Sequence, residues 1–186
     1  NDIFLVEKFF NKGLRFMQLT YNNQTPLAGG CYEKHDSGVS RFGEMVIEEM
    51  NRLGMIVDLS HAGKQTCLDA INFSKKPVTI SHANPNFFHQ SIRNIDDEVL
   101  KRLAKNNGFI GLSLYPYHLK NHGDCKLEDF CEMINQLVNL MGEDHIGIGS
   151  DLCMNWPDSV VMWMRNGKWT KKIDYGESKD KNASWP

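Results

Sequence analysis

The sequence has no surplus of positive charge, no long apolar run and no paired cysteine motif, and each absence removes a class of protein. Its 21 Lys and Arg stand against 23 Asp and Glu, a formal charge of −2. A nucleic-acid binder normally shows a basic excess or stripe, so no nucleic-acid partner is expected. The stretches free of charged side chains, such as residues 16–32 and 77–92, are full of Asn, Gln, Thr, Ser and His. A membrane-spanning helix needs about 20 mostly apolar residues, so no transmembrane segment is expected. The five cysteines, Cys31, Cys67, Cys125, Cys131 and Cys153, form an odd set without a Cys-x-x-Cys pair. That argues against a closed disulfide framework or a structural zinc knuckle and for a reducing compartment. Asn1 and Asp2 open no basic-then-apolar export signal, and the expected location is the cytoplasm.

What is present is an apolar fraction of 41%, too high for a disordered chain, arranged as an alternation. Short β-branched or aliphatic runs alternate with longer segments of helical period, the pattern that produces parallel sheets. Strands are expected at residues 13–21, 55–60, 77–81, 109–115 and 145–150. A helix over residues 40–53 has Ser40 as cap and Gly54 as stop, with Phe42, Met45, Val46, Met50 and Leu53 on one face. Others are expected at 64–73 and at 97–106, the latter entered through Ile95 and Asp96 with Leu100 as packing partner. The spacing of Leu127, Phe130, Cys131, Ile134, Leu137, Val138 and Met141 predicts a long amphipathic helix. Residues 156–186 lose the period and read as an irregular tail or loop with only a short helical stretch at 159–165. No Pro- or Gly-rich linker divides the chain, so residues 1–186 are expected to form one domain.

Such an α/β alternation builds either an open doubly wound sheet or an eight-stranded barrel. Gly147-x-Gly149 resembles the start of a dinucleotide loop, but Leu152 stands where the third glycine belongs and Asp151 enters the turn, which excludes a Rossmann site. A complete (β/α)8 TIM-type barrel takes about 250 residues. Five strands supply only part of one.

The strongest internal signal is an echo: Leu59-Ser60-His61 ends the second strand and Ile80-Ser81-His82 ends the third. In parallel βα architectures the carboxyl ends of the strands form the functional face, so two imidazoles leaving neighbouring strands converge within metal-ligand range. A single such histidine needs no more explanation than a loop hydrogen bond; the pair does. Asp151, after the fifth strand, is placed to bind metal or orient an attacking water, or merely to cap a helix. Arg93, in the loop after the third strand, has a planar fork that matches a substrate carboxylate. Tyr21 and Tyr115 close the first and fourth strands and can present phenols to the same face. His35, His89, His118, His122 and His145 have no comparable echo and are taken as structural, and the helical methionines as core filling.

The succession LTYNNQTP, GVSRFGEMVIEEMNRLGMIVDLSH, KPVTISHANP, IRNIDDEVLKRLAKNNGFIGLSLYPY and DHIGIGSD resembles the membrane dipeptidase (renal dipeptidase) family of binuclear zinc peptidases, particularly its bacterial members, over residues 14–151. The resemblance implies a (β/α)8 barrel that hydrolyses dipeptides with two zinc ions at its mouth, this sequence supplying strands four to eight. It implies that His61 and His82 bind one zinc, that Asp151 serves the other zinc and the attacking water, and that Arg93 holds the substrate carboxylate. The family's His-x-Asp ligand pair on strand one and its bridging Glu on strand three would lie ahead of residue 1, so this segment alone is expected to bind metal weakly and to be inactive. Tyr21 occupies the position of a family histidine that contacts substrate. A homodimer is the family expectation. Two other readings of the same residues remain: an amidohydrolase-type metal hydrolase acting on a lactone, cyclic amide or N-acyl amino acid, and a non-catalytic binding relative.

Overall fold

Side chains on a strand alternate between two faces, and here the alternation separates apolar from polar. Val57, Leu59, Ile80, Ile110 and Leu112 are all buried, and between them sit residues of mixed or polar character: Ile56, Asp58, Thr79, Ser81 and Gly111. A sheet with one such apolar face needs a layer of helices over it. The computed structural model describes residues 2–152, and the expected tail over residues 156–186, its helical stretch and Cys153 lie outside the described residues.

The elements run α1 (Phe4–Asn11), β1 (Phe16–Gln18), α2 (Arg41–Leu53), β2 (Ile56–Asp58), α3 (Lys64–Phe73), β3 (Thr79–Ala83), α4 (Asp97–Lys105), β4 (Phe109–Leu112), α5 (Leu127–Met141) and β5 (Ile146–Ile148), with three short 3-10 turns. The five strands form one sheet in the order β1-β2-β3-β4-β5, every neighbouring pair parallel. A doubly wound sheet reverses its strand order at a switch point. Strictly consecutive parallel order is the winding of a (β/α)8 barrel, and it decides between the two architectures the sequence left open.

The helices form where their caps and apolar stripes demand. Ser40 Oγ accepts the Gly43 N–H at 3.0 Å, and Gly54 stops α2 in a left-handed conformation at φ 76°. Ile47, Met50, Ile71, Leu100, Leu103, Met133 and Leu137 are buried with the apolar face of the sheet as one core. Some details differ from expectation. Helix α1 has no counterpart among the expected elements: its N-terminal residue Ile3 offers no side-chain cap, and Val6 is its one buried residue. Met45 and Leu127, assigned to apolar faces by spacing, are 50% and 72% exposed: the buried face of α2 runs through Gly43, Val46, Ile47 and Met50 and leaves Met45 at its edge, and Leu127 is the first residue of α5. Asp96 precedes α4 without a side-chain cap hydrogen bond. Its carboxylate accepts from Asn86 Nδ2 at 2.7 Å and faces Lys64 Nζ at 3.4 Å instead.

The other sheet face holds a cavity of about 550 Å³ lined in part by Phe16, Ile56, Thr79, Ser81 and Phe109. Toward the carboxyl ends the strands press close together: a Cβ on Gly111 would run into the Ser81 carbonyl and stand 3.1 Å from the Gly149 backbone. Gly111→Ala should therefore destabilise the fold by about 1–3 kcal/mol, read as a lowered midpoint in thermal unfolding.

Candidate metal centre

In a parallel sheet all strands end at one edge, and here that edge gathers the buried polar groups: Asp58, Ser60, His61, Asn84, Arg93, Asn94, Ser113 and His118. Burying so many polar groups is costly unless each finds a partner. Among the described residues no buried side-chain nitrogen or oxygen lacks one.

Two local features aim the histidines. After β2 the chain turns at His61, which adopts a left-handed backbone (φ 67°) that costs a side-chain-bearing residue on the order of 1–2 kcal/mol. In β3 the pairing with β4 shifts register between Ile80 and Ala83, an irregularity of the kind that re-aims a side chain, and His82 lies within it. The outcome is that His61 Nε2 and His82 Nε2 face each other at 2.9 Å, their ring centroids 5.0 Å apart and their planes inclined at 65°.

Each ring is held from behind. His61 Nδ1 lies 2.7 Å from Asn22 Oδ1, a carbonyl that can only accept, so Nδ1 carries the proton and Nε2 the lone pair. His82 Nδ1 lies 2.8 Å from Ser81 Oγ. Burial first, then Arg93, His82 and His118, pushes the His61 imidazole well below its ordinary value. His82 is lowered by burial and by Arg93, opposed by Asp151 and Asp58. Neutral imidazoles with Nε2 directed at one point and Nδ1 engaged elsewhere are the form that ligates a metal ion. The donor set fits a borderline divalent cation such as zinc.

The other predicted residues divide. Arg93 is buried to 4% exposure, with Nη2 3.5 Å from the His82 carbonyl, and its charge acts on His61, His82, His118 and Asp151. Tyr21 stacks on His61 at 4.1 Å between centroids while remaining 47% exposed, which places its ring at the mouth. Tyr115 packs against His118 and Tyr117, at 4.9 and 5.5 Å. Asp151 follows β5 in a left-handed conformation (φ 58°), and desolvation raises its carboxyl against the opposing pull of His82 and Arg93. It stands outside the histidine pair: among the described residues no three His, Cys, Asp or Glu are grouped closely enough to hold a metal ion.

Asn22, Ser81 and Asp58, which sit behind the histidines, are not among the expected site residues, and His118 is expected to be structural. His118 is structural in part: its carbonyl accepts from Asn84 Nδ2 at 3.1 Å and Asn94 Nδ2 at 3.0 Å, and its Nδ1 lies 3.1 Å from Ser113 Oγ. It also borders the site, since Arg93 and His82 add to burial in lowering its pKa. Serine before histidine in both halves of the echo is a signal for Ser81 alone of Asn22, Ser81 and Asp58.

Comparison with known proteins points to one family. The model of the membrane dipeptidase family (Peptidase family M19) matches residues 1–159. An uncharacterized dipeptidase of Schizosaccharomyces pombe is 34% identical over 156 residues, covering 79% of this chain and 37% of that protein. Dipeptidase aclJ of Aspergillus oryzae is 33% identical, covering 79% and 36%. The chain thus spans little more than a third of the length of these relatives. Among solved structures, an amidohydrolase from Pseudomonas aeruginosa superposes with a TM-score of 0.88 at 37% identity, covering 93% of this chain and 53% of that one. A metallo peptidase from Rhodobacter sphaeroides, liganded with a phosphinate mimic of the dipeptide L-Ala-D-Ala, superposes at 0.73 with 26% identity, covering 79% and 45%. The chain belongs to the membrane dipeptidase family.

The lowered imidazoles make metal-free stability depend on pH. Unfolding returns His61 and His118 to about 6.5, so below that value the unfolded chain binds protons that the folded one refuses. Stability is fully present above about pH 6.5 and is lost as the pH falls from there toward the folded-state values. Thermal unfolding of the metal-free protein should show the midpoint declining on the acid side, and His118→Gln should flatten the decline.

Proposed function

We propose that the protein carrying this chain is a metal-dependent dipeptidase. The observation that carries the reading is the pair of Nε2 atoms opposed at 2.9 Å on adjacent strand ends. The dipeptide mimic bound to the Rhodobacter sphaeroides relative supports the substrate class. His61 and His82 would ligate one of two zinc ions, and Asp151 would serve the other. Zinc at such a site supplies a Lewis acid and a bound water acidic enough to act near neutral pH.

The chain's own groups have distinct tasks in this scheme. Asp151 orients the attacking water and accepts its proton, a role its place directly after β5, within reach of His82, supports. Arg93 receives the substrate's terminal carboxylate in its fork, and a buried guanidinium beside the ligands is well placed to do so. A free carboxylate requirement of this kind limits substrates to short peptides. Tyr21, lying over His61, donates a hydrogen bond to substrate without ever carrying a positive charge, and Tyr115 contributes a second phenol near His118. No described helix is long and apolar enough to cross a membrane. Cys67, Cys125 and Cys131 are not paired with one another; a reducing, cytoplasmic setting and a homodimer complete the reading.

The likeness to a protein described as an amidohydrolase favours one second reading, cleavage of a cyclic amide, lactone or N-acyl amino acid at the same site. Rates on such compounds against a set of dipeptides separate the two. Arg93→Ala in the full-length protein should lower kcat/KM for an ordinary dipeptide by about 10- to 1000-fold, with KM raised. Unchanged kcat and KM would remove Arg93 from the scheme. Chelation of the metal should abolish turnover and zinc should restore it.

A further inference from the structure

Asp58 closes β2 and is 5% exposed. Its carboxylate makes three hydrogen bonds. Oδ1 accepts from the backbone N–H of Ser60 and of Ser81, each at 3.0 Å, and Oδ2 accepts from the Ser81 hydroxyl at 2.6 Å. Because a carboxylate only accepts, the direction of the last bond is settled, and the single proton of Ser81 is committed to Asp58.

The rest of the network is fixed by proton counting. With its proton spent, Ser81 Oγ can only accept from its remaining neighbours, Ser60 Oγ at 3.1 Å and His82 Nδ1 at 2.8 Å. With an ion at the centre, His82 Nδ1 must then carry the ring proton and donate it, which leaves its Nε2 lone pair, like that of His61, for the ion. Ser60 Oγ accepts the His82 backbone N–H at 3.1 Å and gives its own proton to Ser81, so every donor in the cluster has one acceptor. Asn22 performs the matching task for His61 by a direct bond.

We propose that Asp58 is a positioning residue of the metal centre: acting through the Ser81 hydroxyl, it fixes His82 in the Nδ1–H tautomer and aims Nε2 at the ion. This rests on reading His61 and His82 as metal ligands. The arrangement is a carboxylate–hydroxyl–imidazole relay, with a serine inserted into the carboxylate–histidine pairing that commonly backs a metal ligand. Asp58 itself touches neither metal nor substrate. The bonds through Oδ1, one local to Ser60 and one tying β2 to β3 at Ser81, are within the capacity of a neutral amide. The bond through Oδ2 is not, because an amide nitrogen there would donate toward Ser81 and compete for the lone pair that holds His82.

The test is a double-mutant cycle in the full-length protein, with Zn2+ affinity measured by competition against a chromophoric chelator and stability by thermal unfolding of the metal-free form. Asp58→Asn and Ser81→Ala should each weaken Zn2+ binding by about 10- to 100-fold, and the double variant should be no weaker than Ser81→Ala alone, because the influence of Asp58 passes through that hydroxyl. In 15N spectra of the Zn2+-loaded protein, the His82 Nδ1–H should be shifted downfield by its hydrogen bond and should move upfield in Asp58→Asn. A strand tie without a positioning role would lower stability and leave Zn2+ affinity and the Nδ1–H resonance in place, or would make the two affinity losses add; either result overturns the assignment. So does unchanged affinity in Ser81→Ala, an arm that does not depend on the Asp58 variant folding. If the affinity pattern holds in a protein that cleaves no dipeptide, the proposed activity fails and the role of Asp58 stands. If dipeptides are cleaved and Asp58→Asn binds Zn2+ normally, the reverse is true.

Discussion

The site depends on a constraint of parallel sheets: consecutive strands must all release the chain at the same edge. With strict β1-to-β5 order, the exits of β2 and β3 are neighbours, and residues leaving them are a few ångströms apart before any specific contact is made. The opposed ring nitrogens of His61 and His82 result from that adjacency, a left-handed turn at one residue and a register irregularity at the other. Two imidazoles in one strand would point along the same face two residues apart and would not oppose each other.

Energetically the molecule keeps two solvents apart. The face under the helices is hydrocarbon, with Ile80, Leu100, Leu103, Ile110 and Leu137 at 0% exposure. The carboxyl-end edge is a lattice of amides, hydroxyls and imidazoles in which Asn84 bridges the carbonyls of Ser113 and His118 and accepts the Ser113 N–H. Such a lattice is stable only when complete, and completeness makes it rigid. The rigidity is useful beside a charged group: the Arg93 guanidinium sits in this lattice, and its field adds to burial in keeping the neighbouring histidines neutral.

Much of this was legible in the amino-acid order, and the parts that were not share a cause. Helix α3 lies on the expected residues 64–73, and α2 begins after Ser40 and stops at Gly54, because caps and stripes are local signals. Four of the five expected strands are longer than the hydrogen-bonded ones, residues 13–21 contracting to Phe16–Gln18 because the flanking positions turn to serve loops and the site, while the expected 77–81 is displaced to Thr79–Ala83. The convergence of His61 and His82 was readable from the repeated Ser-His at strand ends. Their partners were not, because whether Asp58 meets Ser81, or Asn22 meets His61, is decided by register and loop path between segments 23 and 39 residues apart. Asp151, expected to serve the second zinc and the attacking water, lies within electrostatic reach of His82 and Arg93 and outside the histidine pair.

The left-handed backbone at His61 bears on any attempt to harden this protein against heat. Glycine visits that region without the steric penalty a side chain meets there, so a redesign guided by folding free energy alone would nominate this residue early for replacement. His61 is one of six described residues that carry a side chain in that region, and its replacement would also remove one of the two proposed metal ligands, so thermal robustness and the proposed chemistry compete at a single α-carbon.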